Sequence, residues 1–407
     1  MRVLMLGLGH QRDVPGGANR YMTQLADELA QRGHEIHCLV GDCTDRLPAR
    51  EQIGRVTVHR FVASGGFFGV LWNGWKAAWQ LARTESFDLV NSHFAFYAAG
   101  ARLVPALARL PWETTFHGPW ADESAVEDPR ASCIGIWVKG RIEAWIYRRS
   151  HRCDTKSRAF AEILIGRYAI DRSCVEVIPA FLDTRESVPA VDPAVCRSRL
   201  GLSGAVPLWI SVRRLTRRMG LDRLIRVFGE LIRQGFAGHL VIVGAGDQRP
   251  DLETLIQALG ATDRIRLAGL VSEETLADYY GAADLHIVPT IALEGFGLIA
   301  IESLARGLPV LATPVGGLVE VLAPLDPACL TADASDAALL AALQEAIDGR
   351  RRLPAATRCR DHAVERYDAE VVVPRVEALF RQVIEARSSA GRSSLATRQG
   401  GGGRVRD

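Results

Sequence analysis

The sequence predicts an α/β protein in which two doubly wound, Rossmann-like parallel sheets face each other across a cleft. Three observations carry that prediction. Short apolar runs alternate with longer helical patterns along nearly the whole chain, the rhythm of parallel strands joined by crossover helices. At 407 residues the chain is long for one domain and comfortable for two, each able to bury its own core. A polar, proline-bearing stretch from Asp183 to Ala194 interrupts the rhythm near the middle.

In the first half, Arg2 to Leu6, Glu35 to Val40, Val56 to Phe61, Leu89 to Asn91, Glu113 to Phe116 and Val175 to Pro179 read as strands. The helix Asn19 to Gln31 between the first two ends at Gly33. In the second half, Leu208 to Val212, Leu240 to Val243, Ile265 to Leu267, Leu285 to Val288 and Val310 to Ala312 read as strands with helices between them. This places one domain at 1–183 and a second at 184–365. A helix over 366–387 is expected to pack back on the first domain, and the serine- and glycine-rich tail 388–407 is expected to be disordered.

Composition narrows the function class. Apolar residues make up 48% and charged residues 24%, an ordinary globular balance. With 49 basic and 47 acidic residues the net charge is +2, which argues against a nucleic-acid partner. The eight cysteines (Cys38, Cys43, Cys133, Cys153, Cys174, Cys196, Cys329, Cys359) form no Cys-x-x-Cys pair, and no histidine cluster has ligand spacing. That pattern predicts free thiols in a reducing cytoplasm and no metal site. The amino terminus runs into a strand without a leader-like cleavage site, and the longest uncharged stretch, Phe61 to Trp75, is too short and broken to span a bilayer. The segment Trp137 to Arg149 mixes tryptophans with Lys139, Arg141, Arg148 and Arg149. It reads as a core-facing helix with a basic solvated side in preference to an interfacial one, which leaves open a peripheral contact at the inner membrane face.

The most informative segment is Glu294-Gly-Phe-Gly-Leu-Ile-Ala-Ile-Glu302, a strand-to-helix loop followed by an apolar helix that carries a second carboxylate. The amides of Phe296, Gly297 and Leu298 are the free donors of that helix N-terminus, suited to a diphosphate. Helical rise puts Glu302 roughly 7 Å further along, about the reach to a ribose. The bland alternative is that Glu302 pairs with a buried arginine and Glu294 is a solvated loop acid. Three other loops belong to the same edge of the sheets. Gly16 and Gly17 precede the first helix but do not form the dinucleotide fingerprint. Arg213, Arg214, Arg217 and Arg218 follow the first strand of the second domain and make a candidate diphosphate clamp. His117, in Thr115-Phe-His-Gly-Pro119, ends a strand and is suited to a sugar hydroxyl or to proton transfer, with His93 a weaker candidate. Gly244 to Gly246 and Thr313 to Gly317 complete a glycine-lined rim.

With those residues in hand, the chain from Met1 to about Arg387 resembles the retaining glycosyltransferases of family 4, the group 1 enzymes with the two-domain GT-B fold. The resemblance rests on Glu294 and Glu302 around Gly-Phe-Gly, the Pro15-Gly-Gly loop with Arg32-Gly-His34, the His117-Gly118 pair, Val177-Ile-Pro179 with Asp183, and Pro309 to Gly317. It implies that Glu302 holds the nucleotide ribose and Glu294 the donor sugar near the reacting carbon. Arg213 or Arg214 would bind the diphosphate with the Phe296 to Leu298 amides, Gly17 would face the phosphates, and His117 would contact the sugar. The implied enzyme is a hexosyltransferase of glycan biosynthesis. It moves a sugar from a nucleoside diphosphate sugar to a hydroxyl of a saccharide, lipid-linked or small-molecule acceptor, with retention and without metal or cofactor. No Asp-x-Asp motif is present. Two positions depart from the family pattern: Met219 stands where a lysine is usual, with Arg218 beside it to supply the charge, and Phe181 replaces a glycine ahead of Leu182-Asp183. A sugar-nucleotide epimerase on the same scaffold and a non-catalytic sugar-nucleotide-binding subunit are the alternatives. The Trp120 to Glu127 loop, with Trp72 and Trp75, is expected to face the acceptor.

Overall fold

The computed structural model describes residues 1–407 except 15, 43–45, 129, 185–191, 203–205 and 400–407, with side chains described up to 389. Pro15, Cys43, most of the interdomain stretch and the glycine run of the tail therefore lie outside the described residues. The other seven cysteines are free.

The first half forms β1 (Arg2–Gly7), β2 (Glu35–Asp42), β3 (Arg50–Ile53), β4 (Val56–Val62), β5 (Leu89–Ser92), β6 (Trp112–Phe116), β7 (Arg152–Thr155) and β8 (Val175–Val177). Its helices are α1 (Gly17–Gln31), α2 (Gly66–Thr84), α3 (Ala95–Arg102), α4 (Pro105–Ala108), α5 (Trp120–Glu127), α6 (Cys133–Tyr147) and α7 (Arg158–Tyr168). The strands make one sheet in the order β3-β4-β2-β1-β5-β6-β7-β8. Every pairing is parallel except that of β3 with β4. Two of these strands carry no sequence signal. β3, Arg-Glu-Gln-Ile, is mostly polar and is recruited to the edge by the hairpin turn at Gly54. β7, Arg-Cys-Asp-Thr, is polar yet almost wholly buried: Asp154 is paired with Lys156 just beyond the strand, while the Thr155 hydroxyl has no hydrogen-bond partner.

The second half forms β9 (Leu208–Val212), β10 (His239–Val243), β11 (Ile265–Gly269), β12 (Leu285–Val288) and β13 (Val310–Ala312). Its helices are α8 (Pro193–Arg199), α9 (Leu221–Arg233), α10 (Arg249–Ala258), α11 (Glu273–Ala282), α12 (Leu298–Ala305), α13 (Gly317–Leu322), α14 (Asp336–Ile347), α15 (Ala356–Tyr367) and α16 (Ala369–Gln399). The sheet order is β11-β10-β9-β12-β13, all parallel. Helix α16 continues to Gln399, past the expected start of the disordered tail at 388. Adding residues to an existing helix costs far less than nucleating one, and no proline lies between Ser388 and the glycine run.

Each sheet is covered on both faces. One core cluster joins the α1 face of the first sheet to α12, α13, α15 and the apolar side of α16, including Val372, Val376 and Phe380. The other face of that sheet packs against α2, α3 and α6. Between the halves the chain crosses twice: Leu182 N–H donates to Tyr367 O at 3.0 Å, and Ala369 N–H returns to Leu182 O at 3.0 Å. Phe181, where a glycine is usual, fills this junction and sets its ring edge-on to Tyr21 at 5.3 Å.

Candidate active site

Strand order reverses between β1 and β5 in the first sheet and between β9 and β12 in the second. In open parallel sheets ligands lie at such reversals, beyond the carboxyl ends of the strands. The four loops that leave those strands carry Gly17, His93, Arg213 and Glu294, so topology alone brings the candidates to one place.

Arg213 leaves β9, and its Nη2 meets Glu294 Oε2 at 2.5 Å, with Thr290 Oγ1 as a shared partner of both side chains. Both charges are nearly sequestered, with side chains 5% and 12% exposed. Burial is the largest influence on Glu294 and favours its neutral form, but Arg213, together with Arg218 and Thr290, outweighs it and holds the carboxyl below its ordinary range. Arg213 Nε is buried with no hydrogen-bond partner, a donor left over for something else. Removing either member of such a pair leaves a bare buried charge and costs about 3–5 kcal/mol.

Next to this pair α12 begins. Its cap Gly297 has φ 90°, and a Cβ there would lie 2.6 Å from Leu318 Cδ2, so only glycine lets the turn fold this tightly. The glycines of the Thr313 to Gly317 rim serve the same packing: Gly317 N–H donates to Glu294 O at 2.9 Å, and a Cβ on Gly317 would lie 2.5 Å from Phe296 Cα. From the opposite domain, a Cβ on Gly17, the first residue of α1, would come 3.7 Å from Leu298 Cδ1. The N-termini of α1 and α12 therefore converge on one space.

The first-domain wall is a chain of buried polar groups. His117 Nε2 and His93 Nδ1 are 2.9 Å apart, and His93 Nε2 lies 2.7 Å from Asn91 Oδ1. The Asn91 amide donates to Glu113 and Thr115, so its oxygen accepts from His93. His93 then accepts from His117, which leaves His117 Nδ1 as the lone-pair nitrogen. Burial foremost, and Lys156 second, push His117 down to about 3, so the imidazole is neutral. Lys156 pairs with Asp154 and donates to Tyr21 OH at 2.8 Å, while Tyr21 sets its ring edge against His117 at 5.6 Å.

Three ties cross the cleft. Arg20 of α1 reaches Glu302 Oε1 at 3.1 Å, and Tyr280 OH donates to Glu302 Oε2 at 3.4 Å. Arg218 Nε meets Glu127 at 3.0 Å and its Nη2 meets Glu123 at 3.4 Å, both on α5, while Nη1 donates to Leu293 O at 2.7 Å. Glu320 of α13 accepts the Arg158 and Ala159 amides at 3.0 and 3.1 Å, capping α7 from the other domain.

A cavity of 620 Å³ lies between the domains. Gly17, His117, Arg213, Arg214, Arg218, Glu294, Phe296, Gly297 and Leu298 all line it, as do His93 and Met219. Glu302 is not among the lining residues. Its carboxylate is held by Arg20, so the arginine-paired arrangement occurs here, with a partner from the other domain that the sequence gives no reason to choose. Arg218 is committed to α5 acids and does not simply replace a lysine at Met219. Trp120 lines the cavity from a helix, not a loop, whereas Trp72 and Trp75 do not line it. Helix α6 is core-facing only in its second half, since Ile134 and Trp137 are exposed. The sequence reading missed Arg20 and Lys156, and placed Glu123 and Glu127 only within the loop expected to face the acceptor, not as partners of Arg218. Lys156 has one weak signal, being among only three lysines in a chain that otherwise uses arginine.

Comparison with known proteins bears on this geometry directly. The family described as Glycosyltransferase Family 4 matches residues 15–186, and Glycosyl transferases group 1 matches residues 197–366. A D-inositol 3-phosphate glycosyltransferase of Nocardia farcinica is 32% identical over 327 residues, covering 74% of this chain and 70% of that one. This chain belongs to the group 1 glycosyltransferases of family 4. Among solved structures, sucrose-phosphate synthase from Thermosynechococcus elongatus aligns with a TM-score of 0.82 at 22% identity, covering 95% of this chain and 99% of that one. Anabaena HepE in complex with UDP and glucose aligns at 0.74 with 18% identity, covering 94% and 99%. The fold of this glycosyltransferase is therefore GT-B, and the cavity sits between its two domains.

Proposed function

We propose that this glycosyltransferase takes a nucleoside diphosphate sugar as donor and moves the sugar, with retention and without a metal, to a hydroxyl of a glycan, glycolipid or small-molecule acceptor. The observation that carries the reading is the buried Arg213–Glu294 pair beside the α12 N-terminus, inside a cavity walled by both domains. The leaving diphosphate gathers charge as the bond to the anomeric carbon breaks. The unpartnered Arg213 Nε, the half-exposed Arg214 and the Phe296 to Leu298 amides offer fixed donors for that charge, the largest single contribution in most such sites. The acceptor oxygen bonds to the anomeric carbon on the face the diphosphate leaves, and the acceptor proton departs with a diphosphate oxygen. Glu294 faces the donor sugar, His117 offers Nδ1 to a sugar hydroxyl, and Gly17 faces the phosphates. Glu302 binds the ribose in exchange for Arg20. HepE, with UDP and glucose bound, supports the donor class. An acceptor-side wall containing Phe96 and Trp120 favours transfer over epimerisation of the donor alone. A cytoplasmic location belongs to the same reading.

Thermal-shift titration with UDP, GDP, ADP and dTDP names the base, since a ligand that binds only the folded state raises Tm. Glu294→Ala is expected to lower transfer by about 100-fold or more while keeping that shift. Normal turnover in the variant rejects the assigned role.

A further inference from the structure

Helices α2 and α6 flank α3 on the outer face of the first domain, and both present an unusual surface. On α2 the outward residues are Phe68, Trp72, Lys76, Trp79 and Arg83; on α6 they are Ile134, Trp137 and Arg141, with Arg148 exposed just past its end. Phe68 is 82% exposed, Ile134 75%, Trp137 65% and Trp72 62%. These side chains recur at the three- and four-residue spacing of a helix face, so each helix shows one stripe that none of the described residues covers. On α6 the apolar residues lie at the helix start and the basic ones toward its end; on α2 Phe68 and Trp72 come first, and Trp79 falls between Lys76 and Arg83. In a parallel sheet the helix starts lie at the carboxyl edge, where the cavity opens.

Charge decides the partner. Helix α2 contains no acidic residue, and the one carboxylate of α6, Glu143, is fully buried, where it accepts the Trp120 and Ala121 amides. Arg149 and Arg109 are exposed nearby. A second copy of the same face would bring no negative charge to this basic band. The exposed aliphatic and aromatic groups, mixed with arginine and lysine and free of acids, suit the interface of an anionic bilayer. The apolar end also connects inward: Phe68 contacts Phe67 at 5.3 Å, Phe67 stacks on Phe96 at 5.2 Å, and Phe96 meets Trp120 at 5.5 Å in the cavity wall. No helix among the described residues is long and apolar enough to cross a membrane, so the contact is a surface one.

We propose that the α2–α6 face docks this glycosyltransferase on anionic lipid bilayers, with the mouth of its cavity at the lipid surface. The test is co-sedimentation of the full chain with vesicles of phosphatidylcholine alone and of phosphatidylcholine with an equal part of phosphatidylglycerol. Binding to the anionic vesicles is expected to weaken with salt. It should fall at least about tenfold in the double variant Trp72→Ser, Trp137→Ser, and about fivefold for each of Arg83→Gln and Arg141→Gln. All four sites are exposed, and an unchanged Tm shows that the variants are folded. No binding to anionic vesicles overturns the proposal, as does equal binding by wild type and variants. A dimer in light scattering that the same substitutions dissolve assigns the face to a second copy instead. Docking does not depend on the donor site, so failure of the nucleotide titration counts against the donor reading alone.

Discussion

His117 shows how one side chain acquires a definite chemical state from its neighbours. Asn91 fixes the orientation of His93, His93 fixes that of His117, and burial keeps the pair neutral. Other imidazoles are treated alike: burial foremost, then Arg213, lowers His286 to about 3, and burial with His37 lowers His59 to about 4. The unfolded chain takes up protons on these groups below about 6.5, whereas the folded chain resists until about 3 or 4. Stability is therefore complete above that range and is lost as pH falls toward the depressed values. Each such imidazole contributes a slope of about 1.4 kcal/mol per pH unit. Urea midpoints are expected to drop steadily from neutral pH to about 5, and His286→Asn should lessen the slope by one imidazole's share. An unchanged slope in that variant would mean His286 titrates normally in the folded chain.

Among the elements, the loop between β9 and α9 depends most on a single residue type. Gly220 caps α9 at φ 70°, and a Cβ there would overlap the Pro289 carbonyl oxygen on the neighbouring strand-end loop. That close approach seats Arg213 and Arg218 beside Glu294. Gly260 has a similar φ of 63° with open space around it. Gly260→Ala should therefore cost only the left-handed strain, about 1 kcal/mol, while Gly220→Ala should cost about 2 kcal/mol or more and weaken the diphosphate-induced Tm shift. Equal losses in chemical denaturation would show that the contact with Pro289 is not what requires glycine. Helix α5 depends instead on Glu143, whose buried carboxylate accepts two amides at the helix start and the hydroxyls of Tyr147 and Tyr168. Nothing in the local sequence of α5 names that partner.

At the scale of the whole molecule, charge pairs across the cleft add to the apolar core that the two domains share. Arg218 stands between Glu123 and Glu127 of α5 and the Leu293 carbonyl of the second domain. Burial raises Glu123 most, and Glu127 and Glu294 add to the rise while Arg218 and Arg214 oppose it. Removing the guanidinium in Arg218→Ala leaves carboxylates facing one another across the cleft, so the domains should separate. Small-angle scattering should then give a radius of gyration above the roughly 22 Å expected for a compact chain of this length, and the increase should shrink as added salt screens the carboxylates. An unchanged radius at low salt would mean that the shared apolar core and the double crossing at Leu182 hold closure without this tie.

Much of this was legible from the residues alone. Periodicity located eleven of the strands, because burial on both faces selects apolar runs for most parallel strands and crossover helices are amphipathic. The Glu294 to Glu302 segment, the glycine pairs and the arginine loop were legible because tight turns and helix N-termini restrict which residue types fit. The polar strands β3 and β7 were not, since their partners are supplied by other strands and not by local pattern. Nor could the sequence say that Arg20 would take Glu302, that Lys156 would sit behind His117, or that α2 and α6 would leave the tryptophan-bearing stripe uncovered. Those outcomes depend on the juxtaposition of residues far apart in the chain. Local preference fixes which elements form and which loops can meet a phosphate; only the packed fold decides which charge reaches which, and which face is left to the outside.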